Sequence, residues 1–305
     1  MQCMEVWGGN EIAETRLEIP GLDAWVLSIP SGRGRGGDLH YVSSCATGRI
    51  SRVLLADVAG HGASVADVAV TLRDLMRRFV NFVSQKRLME NLNRGCMELS
   101  EEALFASAVV ATYWAPNDWL LLSNAGHPRP LWYRARRTEW GIVDVRTARP
   151  KVGPRNVPLG VVPDAEYDQV GLRLRADDVI ITYSDALLDV VRPDGSRLGE
   201  AGLFELAKGL DPARPEVMAR ELVARAAAWA GGDPVDDCSV LVLRHTGRKP
   251  AFRGAGQAVA GFARLAWEAI RGRAPFPWPE AGVGNLLGAI IPAANKLVGR
   301  KAVDP

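Results

Sequence analysis

The chain of 305 residues is 48% hydrophobic and 24% charged, with a net charge of only +2. This is the profile of a soluble globular protein with one large core or two modest ones, and it carries no global nucleic-acid signature. The charge is unevenly placed: residues 247–305 hold nine Lys/Arg against three Asp/Glu, so the basic excess belongs to this tail and residues 1–246 carry about −4. No uninterrupted apolar stretch approaches the roughly 18 residues that span a bilayer. Residues 1–10 have neither a basic run nor a long apolar region, so no signal peptide is expected and the compartment is expected to be the cytoplasm. Cys3, Cys45, Cys96 and Cys238 lie far apart without a C-x-x-C pair, which predicts reduced thiols, neither a disulfide framework nor a zinc ribbon.

Residues 24–29 (AWVLSI) and 50–58 (ISRVLLADV) are rich in the branched and aromatic side chains that suit a pleated surface. Between them lies a glycine-rich stretch, residues 32–37, followed by residues 38–42, which read as extended. After Gly62 the period changes. Val65, Val68, Ala69, Leu72, Met76 and Phe79 recur at three- and four-residue steps, with Arg73, Asp74, Arg77 and Arg78 mostly opposite, which predicts an amphipathic helix. A second helix follows, with Leu88, Leu92 and Leu99 facing inward. Strands return at 108–114 and 119–124 around the turn Pro116-Asn117-Asp118, and again at 131–134. Residues 172–174 and 179–183 are expected to pair around Asp177-Asp178. Residues 200–208 and 216–230 are helical, the latter opening after Pro215 and closing at Gly231-Gly232, and 239–244 form a last strand. Hairpin-joined strands interrupted by blocks of helix predict an antiparallel α+β domain and not a regular βαβ winding. This domain is expected over residues 1–246. Residues 247–305 are expected to be a basic, Pro/Gly-interrupted tail, with a short amphipathic helix at 259–270 that places Phe262, Leu265, Ala266 and Ile270 on one face.

Asp38, Asp57, Asp185 and the pair Asp236-Asp237 stand where the chain leaves strands or enters loops. Singly, each reads as an ordinary turn or cap residue; the set is more informative. Carboxylates after apolar strands must reach solvent or a polar pocket, because an unpaired buried charge is costly. If the strand ends converge, mutual repulsion demands cations, and oxygen-only donors suit magnesium or manganese. Gly60 and Gly62 permit a tight turn that brings His61 close to whatever Asp57 holds.

Six short motifs follow one another over about residues 20–245: Gly36-Gly37-Asp38, Asp57-Val58-Ala59-Gly60-His61-Gly62, Asn124-Ala125-Gly126-His127-Pro128, Pro158-Leu159-Gly160, Tyr183-Ser184-Asp185 and Asp236-Asp237. In this order they resemble the metal-dependent protein phosphatases (PPM, protein phosphatase 2C type), most closely the bacterial SpoIIE-like branch of sporulation and stress-response phosphatases. The resemblance implies a two-sheet antiparallel β-sandwich flanked by helices (α-β-β-α), with two divalent cations, Mn2+ or Mg2+, at one end. It implies that Asp57 bridges the cations, that the Val58 backbone carbonyl binds one of them, and that Asp185 and Asp236 hold the other. Asp38 acts directly or through water, and Asp237 is a further candidate ligand. The implied activity is hydrolysis of a phosphoserine or phosphothreonine protein by a metal-activated water, without a phosphoenzyme. His61 would protonate the leaving oxygen or order water; a structural histidine is the even alternative. His127, in a turn before Pro128, reads as a loop stabiliser. Arg33 and Arg35 are candidates for the substrate phosphate, though solvated loop charges are the plainer reading.

The implied substrate is an anti-sigma-factor antagonist in a bacterial partner-switching pathway, with control from a regulatory protein, another chain or the tail. No nucleic acid or transmembrane segment enters this reading. The tail packs on the domain or meets a partner in preference to lying on an anionic membrane, and a homodimer is left open. The chain departs from the family pattern at Tyr41, where a second aspartate often follows the Gly-Gly-Asp. It departs again at Ala186, where glycine is usual; the next acidic position is Asp189. A dinucleotide fingerprint is matched literally by Gly32-x-Gly34-x-x-Gly37, but the segment after it reads as extended where a helix is required. The competing functional reading is a catalytically inactive pseudophosphatase that binds a phosphoprotein; the retained Asp57 and Asp236 favour catalysis.

Overall fold

The computed structural model describes residues 2–8, 12–31, 37–45, 48–59, 63–79, 84–98, 105–145 and 153–248. Along the chain run β1 (Gln2–Gly8), β2 (Ala13–Ile19), β3 (Leu22–Ile29), β4 (Asp38–Cys45) and β5 (Ile50–Val58), then the helices α1 (Ala63–Arg78) and α2 (Gln85–Glu98). Five strands follow: β6 (Ala106–Trp114), β7 (Trp119–Ala125), β8 (Leu131–Arg134), β9 (Glu139–Ile142) and β10 (Val170–Arg173). β11 (Val179–Tyr183), a 3-10 turn (Asp185–Leu187), α3 (Gly199–Lys208), α4 (Pro215–Ala230) and β12 (Cys238–His245) complete the described part. The strands form two six-stranded sheets, ordered β1-β4-β5-β6-β7-β10 and β2-β3-β12-β11-β8-β9. Every pairing between these strands is antiparallel.

The near-continuous apolar run of β5 follows from having both faces covered. Val53 and Leu55 point into the layer between the sheets, where they meet Val26, Ile180 and Leu241. Leu54, Ala56 and Val58 point the other way, onto Leu72 and Met76 of α1 and Leu88 and Leu92 of α2. The second sheet is covered in the same manner: Ile181, Val240 and Val242 pack under Leu203 of α3 and Met218 and Leu222 of α4. The architecture is therefore α-β-β-α. Helix α4 begins with Pro215 in its first turn and ends where Gly231, at φ +80°, donates its N–H to Ala227 O at 2.8 Å. That left-handed cap is a conformation glycine adopts without a Cβ penalty.

One expected pairing is overturned. Residues 172–174 and 179–183 do not form a hairpin: β10 pairs with β7 in the first sheet, whereas β11 pairs with β12 and β8 in the second. The Asp177-Asp178 turn is a crossing between sheets. Asp178 fixes it by accepting the N–H groups of Arg175 and Ala135, each at 2.9 Å, and Asp177 N–H donates to His245 O at 2.9 Å. Close by, Asp118 accepts both Tyr113 Oη–H and His245 Nε2–H at 3.0 Å, tying the sheets together at this end. The tail, with its expected helix at 259–270, lies outside the described residues, as does Leu99.

Leu55 is 0% exposed between the sheets. Leu55→Ala is expected to cost about 2–5 kcal/mol, read as a lower urea midpoint with an unchanged m-value.

Candidate active site

Antiparallel pairing decides which chain ends meet. β4 starts at Asp38 where β5 is ending at Asp57, so the two aspartates are cross-strand partners in register. β11 stops at Tyr183, just before Asp185, and its partner β12 starts directly after Asp236-Asp237. Stacking the two sheets places both pairs of ends at one end of the sandwich. Period-2 alternation then turns Asp38 and Asp57 toward the gap between the sheets, on the faces that carry Val42 and Leu55.

The carboxylates differ in depth. Asp38 is 1% exposed, Asp57 is half-buried, and Asp185 and Asp236 lie at the exposed rim. Burial, followed by the charges of Asp185, Asp236 and Asp237, raises the Asp57 carboxyl to about 6. Burial also pushes Asp38 well above the usual carboxylate range, and the nearby Ser239 and Ser184 hydroxyls offset only part of this. Neither hydroxyl closes a hydrogen bond to Asp38, whose two oxygens are unpartnered among the described residues. Instead Ser184 Oγ accepts Ser239 N–H at 2.9 Å and donates to Asp237 O at 3.2 Å, while Ser239 Oγ and Ser28 Oγ pair at 3.1 Å. Asp185 is raised by burial and by Asp236, and its own and Ala186's N–H groups and Arg197 pull it partly back.

Asp237 behaves differently from its neighbour. Its Oδ1 accepts Ser31 N–H at 2.7 Å and its Oδ2 accepts Gly37 N–H. Gly37 in turn has its carbonyl bonded to Val58 N–H at 3.1 Å. A Cβ at Gly37 would stand 2.9 Å from Val58 O and 3.4 Å from Asp57 Oδ1, so only glycine permits this approach.

The donors suit hard cations. They are all oxygens, they repel one another, and the deepest carboxylate has no partner among the described residues, which is the circumstance in which a buried charge calls for a metal. Among the described residues, no three acidic or imidazole groups are drawn together tightly enough to enclose an ion by themselves. The carboxylates of Asp38, Asp57, Asp185 and Asp236 and the carbonyl of Val58 are nonetheless gathered at one end. His61, Arg33 and Arg35 lie outside the described residues.

Other positions are resolved by strand alternation. Tyr41 packs under α1 and α2, on the face of β4 opposite to Asp38, so the residue at this position does not face the carboxylates. Asp189 is paired with Arg197 at the surface. The glycine-rich stretch leads into β4 and not into a helix, so the dinucleotide setting is absent. His127 donates its N–H to Asn124 Oδ1 at 2.8 Å, Asn124 Nδ2 returns a bond to His127 O at 2.7 Å, and His127 Nδ1 meets Ser107 Oγ at 2.8 Å. Ser107 is the cross-strand partner of Asp57. Burial lowers the His127 imidazole to about 3, so it is neutral and braces this loop. Sequence reading did not single out Ser107 and Ser239 as part of the site, and it named Ser184 only within the Tyr183-Ser184-Asp185 motif, without a role. The available signal was alternation, because inward-facing Leu241 and Leu243 place Ser239 inward too.

An α-β-β-α sandwich with an acidic end is the architecture of PP2C-type protein phosphatases. The sequence profile of the family Stage II sporulation protein E (SpoIIE) matches residues 48–246, and the chain belongs to this family. Phosphoserine phosphatase RsbU of Bacillus subtilis (strain 168) is 22% identical over 195 residues, 61% of this chain and 55% of that protein, so the chain spans about half the length of this relative. The PP2C phosphatase domain with a regulatory-domain fragment of SpoIIE from Bacillus subtilis has the same fold, with a TM-score of 0.60 and 17% identity, covering 73% of this chain and 63% of that one. RsbX in complex with magnesium aligns with a TM-score of 0.54 and 13% identity, covering 76% of this chain and 99% of that one.

A carboxyl whose folded value is about 6 binds its proton more tightly in the folded chain than in the unfolded chain, near 3.8. Its ionisation therefore subtracts stability as pH rises from about 4 to about 6. In metal-free protein, Asp57→Asn is expected to match wild type at pH 4 and to exceed it by on the order of 2 kcal/mol at pH 7. Urea unfolding across this range measures the difference, and added Mn2+ is expected to reverse it in favour of wild type.

Proposed function

We propose that the protein is a Mn2+- or Mg2+-dependent serine/threonine phosphatase that acts on a phosphoserine or phosphothreonine protein in bacterial partner-switching signalling. The observation that carries this reading is the buried Asp38 carboxylate, both oxygens unpartnered among the described residues, in register with the half-buried Asp57. A folded chain keeps such a pair where cations complete it. Asp57, Asp38, the Val58 carbonyl, Asp185 and Asp236 would hold two divalent ions. When bound, such ions supply a polarised water nucleophile and neutralise charge on the phosphoryl oxygens during in-line displacement.

The chain's own groups do the rest. Asp38 and Asp57 present acceptor oxygens toward the gap and orient water there. Ser184 holds the start of β12 against the end of β11, which fixes Asp236 relative to Asp185. His61, three residues past β5 in sequence, delivers a proton to the leaving seryl oxygen. Arg33 and Arg35 pair with the substrate phosphate. Neither Cys96 nor Cys238 is suited to act as a nucleophile, since burial pushes both thiols up to about 12 and keeps them protonated.

Residues 1–246 form the catalytic unit, and the basic tail packs on it or receives a regulatory partner. The substrate class is supported by the resemblance to a phosphoserine phosphatase, and an anti-sigma-factor antagonist is the substrate it suggests. Free, buried Cys96 and Cys238 suit the reducing cytoplasm. Among the described residues, no helix is long and apolar enough to cross a membrane.

The test is manganese-dependent phosphate release from a phosphoserine peptide and from a small aryl phosphate. Wild type is expected to turn over both, and Asp57→Asn and Asp236→Asn to lose about 100-fold or more. A wild type that binds Mn2+ yet releases no phosphate, with or without its partner, would replace this reading with a phosphoprotein-binding module.

A further inference from the structure

We infer that Asp237 is a positioning residue and not a metal ligand: its carboxylate clasps the two sheets at the acidic end and sets Gly37, and through it Asp38 and the Val58 carbonyl, in place. The inference rests on the reading of this end as a metal-dependent phosphoryl site, and it assigns adjacent, chemically identical aspartates to different tasks.

Asp237 and Asp38 make opposite use of their oxygens. Among the described residues both oxygens of Asp38 are without a partner, whereas both oxygens of Asp237 accept backbone N–H groups, from Ser31 and Gly37. Bonds of this kind to an ionised acceptor are among the stronger hydrogen bonds in proteins. The donors come from different sheets. Ser31 follows β3 and Asp237 precedes β12, both in the second sheet; Gly37 leads into β4 of the first. Through the middle of the sandwich the facing sheets meet by apolar side chains, which are tolerant of small shifts because that contact is non-directional; the directional ties through Asp118 lie at the opposite end. A directional bond across the gap is what fixes one strand end against the other.

The clasp is passed on directly. Gly37 O accepts Val58 N–H at 3.1 Å, and the bare Cα of Gly37 sits so close that a Cβ there would be 2.9 Å from Val58 O. Gly37 is therefore wedged between the Asp237 carboxylate and the carbonyl proposed as a ligand, and the next residue is Asp38. Behind the clasp, Asp237 N–H donates to Asp236 Oδ1 at 2.8 Å, and Asp237 O accepts Ser184 Oγ–H at 3.2 Å, beside Asp185. One residue thus connects directly to Gly37, Ser184 and Asp236, and through Gly37 to the end of β5 that carries Asp57 and Val58.

Amide exchange reads the clasp directly, in the full chain, without metal and without turnover. In wild type, the Ser31 and Gly37 amides are expected to exchange at least about 10-fold more slowly than in the unfolded chain. Asp237→Asn keeps the shape but turns one acceptor into a donor. It is expected to speed exchange at these two amides about 10-fold or more while leaving the number of bound Mn2+ ions, counted by electron paramagnetic resonance, at the wild-type value. Asp236→Asn is expected to do the reverse, lowering the Mn2+ count with both amides unchanged. Aryl phosphate turnover by Asp237→Asn should fall about 10- to 100-fold in kcat with little change in KM. Unprotected Ser31 and Gly37 amides in wild type would overturn the clasp even if the variant did not fold. So would an Asp237→Asn protein that loses bound Mn2+ as Asp236→Asn does. Absence of turnover in wild type would defeat only the phosphatase reading, since exchange and metal count would still decide the role of Asp237.

Discussion

Two carboxylates, Asp38 and Asp57, are held side by side by the β4–β5 register at the end of a gap that Leu and Val side chains otherwise fill. Strand pairing leaves them no freedom to separate, because moving Asp38 away would break the ladder that buries Val42 and Leu39. Burying charge without a counter-charge is among the more expensive things a fold can do. The polar neighbours do little to relieve it. Ser184 and Ser239 spend their hydrogen bonds on each other, on Ser28 and on Asp237 O. Arg197, the cation that acts on Asp185, is itself paired with Asp189. The cost appears as carboxyls that hold their protons more tightly than usual, and an external cation that replaces those protons can relieve it.

The opposite end of the sandwich shows what the same fold does when no ligand is called for. There Asp118 is satisfied by Tyr113 and His245, and Asp178 by two backbone N–H groups. A similar economy holds α2 on the first sheet. Buried Gln85 donates to Val110 O at 2.9 Å and accepts from Arg52, and Asn93 bonds Gly160 N–H, Val162 O and Tyr167 Oη. These buried groups are networked, as Asp237, Ser184 and Ser239 are at the acidic end; the two Asp38 oxygens, among the described residues, are not.

The interior of the fold was legible in the sequence and its margins were not. β5, β8 and β11 run over the residues expected, and β3, β6, β7 and β12 differ from expectation by one or two end residues. These strands lie mostly in the middle of their sheets, where burial on both faces demands continuous apolar runs. The edges are β1 and β10 in one sheet and β2 and β9 in the other. Three of these were missed, and β10 was assigned the wrong neighbour. β2 shows why: it reads AETRLEI, with Glu14, Arg16 and Glu18 exposed on one face, and such charged strands protect an edge from further pairing. β9 is half-buried throughout and only four residues long. The Asp177-Asp178 turn looked like a hairpin because turn chemistry is local. Whether the next strand returns to the same sheet depends on distant partners, here Ala135 and His245.

The site was legible as a set of residue types and only partly as a set of roles. The order of the motifs identified the aspartates, since each lies at a strand end that antiparallel pairing must bring to the same side. Asp236 and Asp237 could not be told apart in this way. They are identical side chains at adjacent positions, and successive residues of an extended chain point in opposite directions. One must therefore face the rim while the other faces inward, and only partners distant in sequence decide which is which. Those partners are the N–H groups of Ser31 and Gly37, more than 190 residues away in sequence. Backbone donors leave no trace in residue identity, save where a glycine is required for the chain to come close. Gly37 is such a trace. Beside an aspartate at the mouth of an acidic gap, it marks where main chain takes the place of a side chain, and so why Asp237 is present without needing to bind an ion.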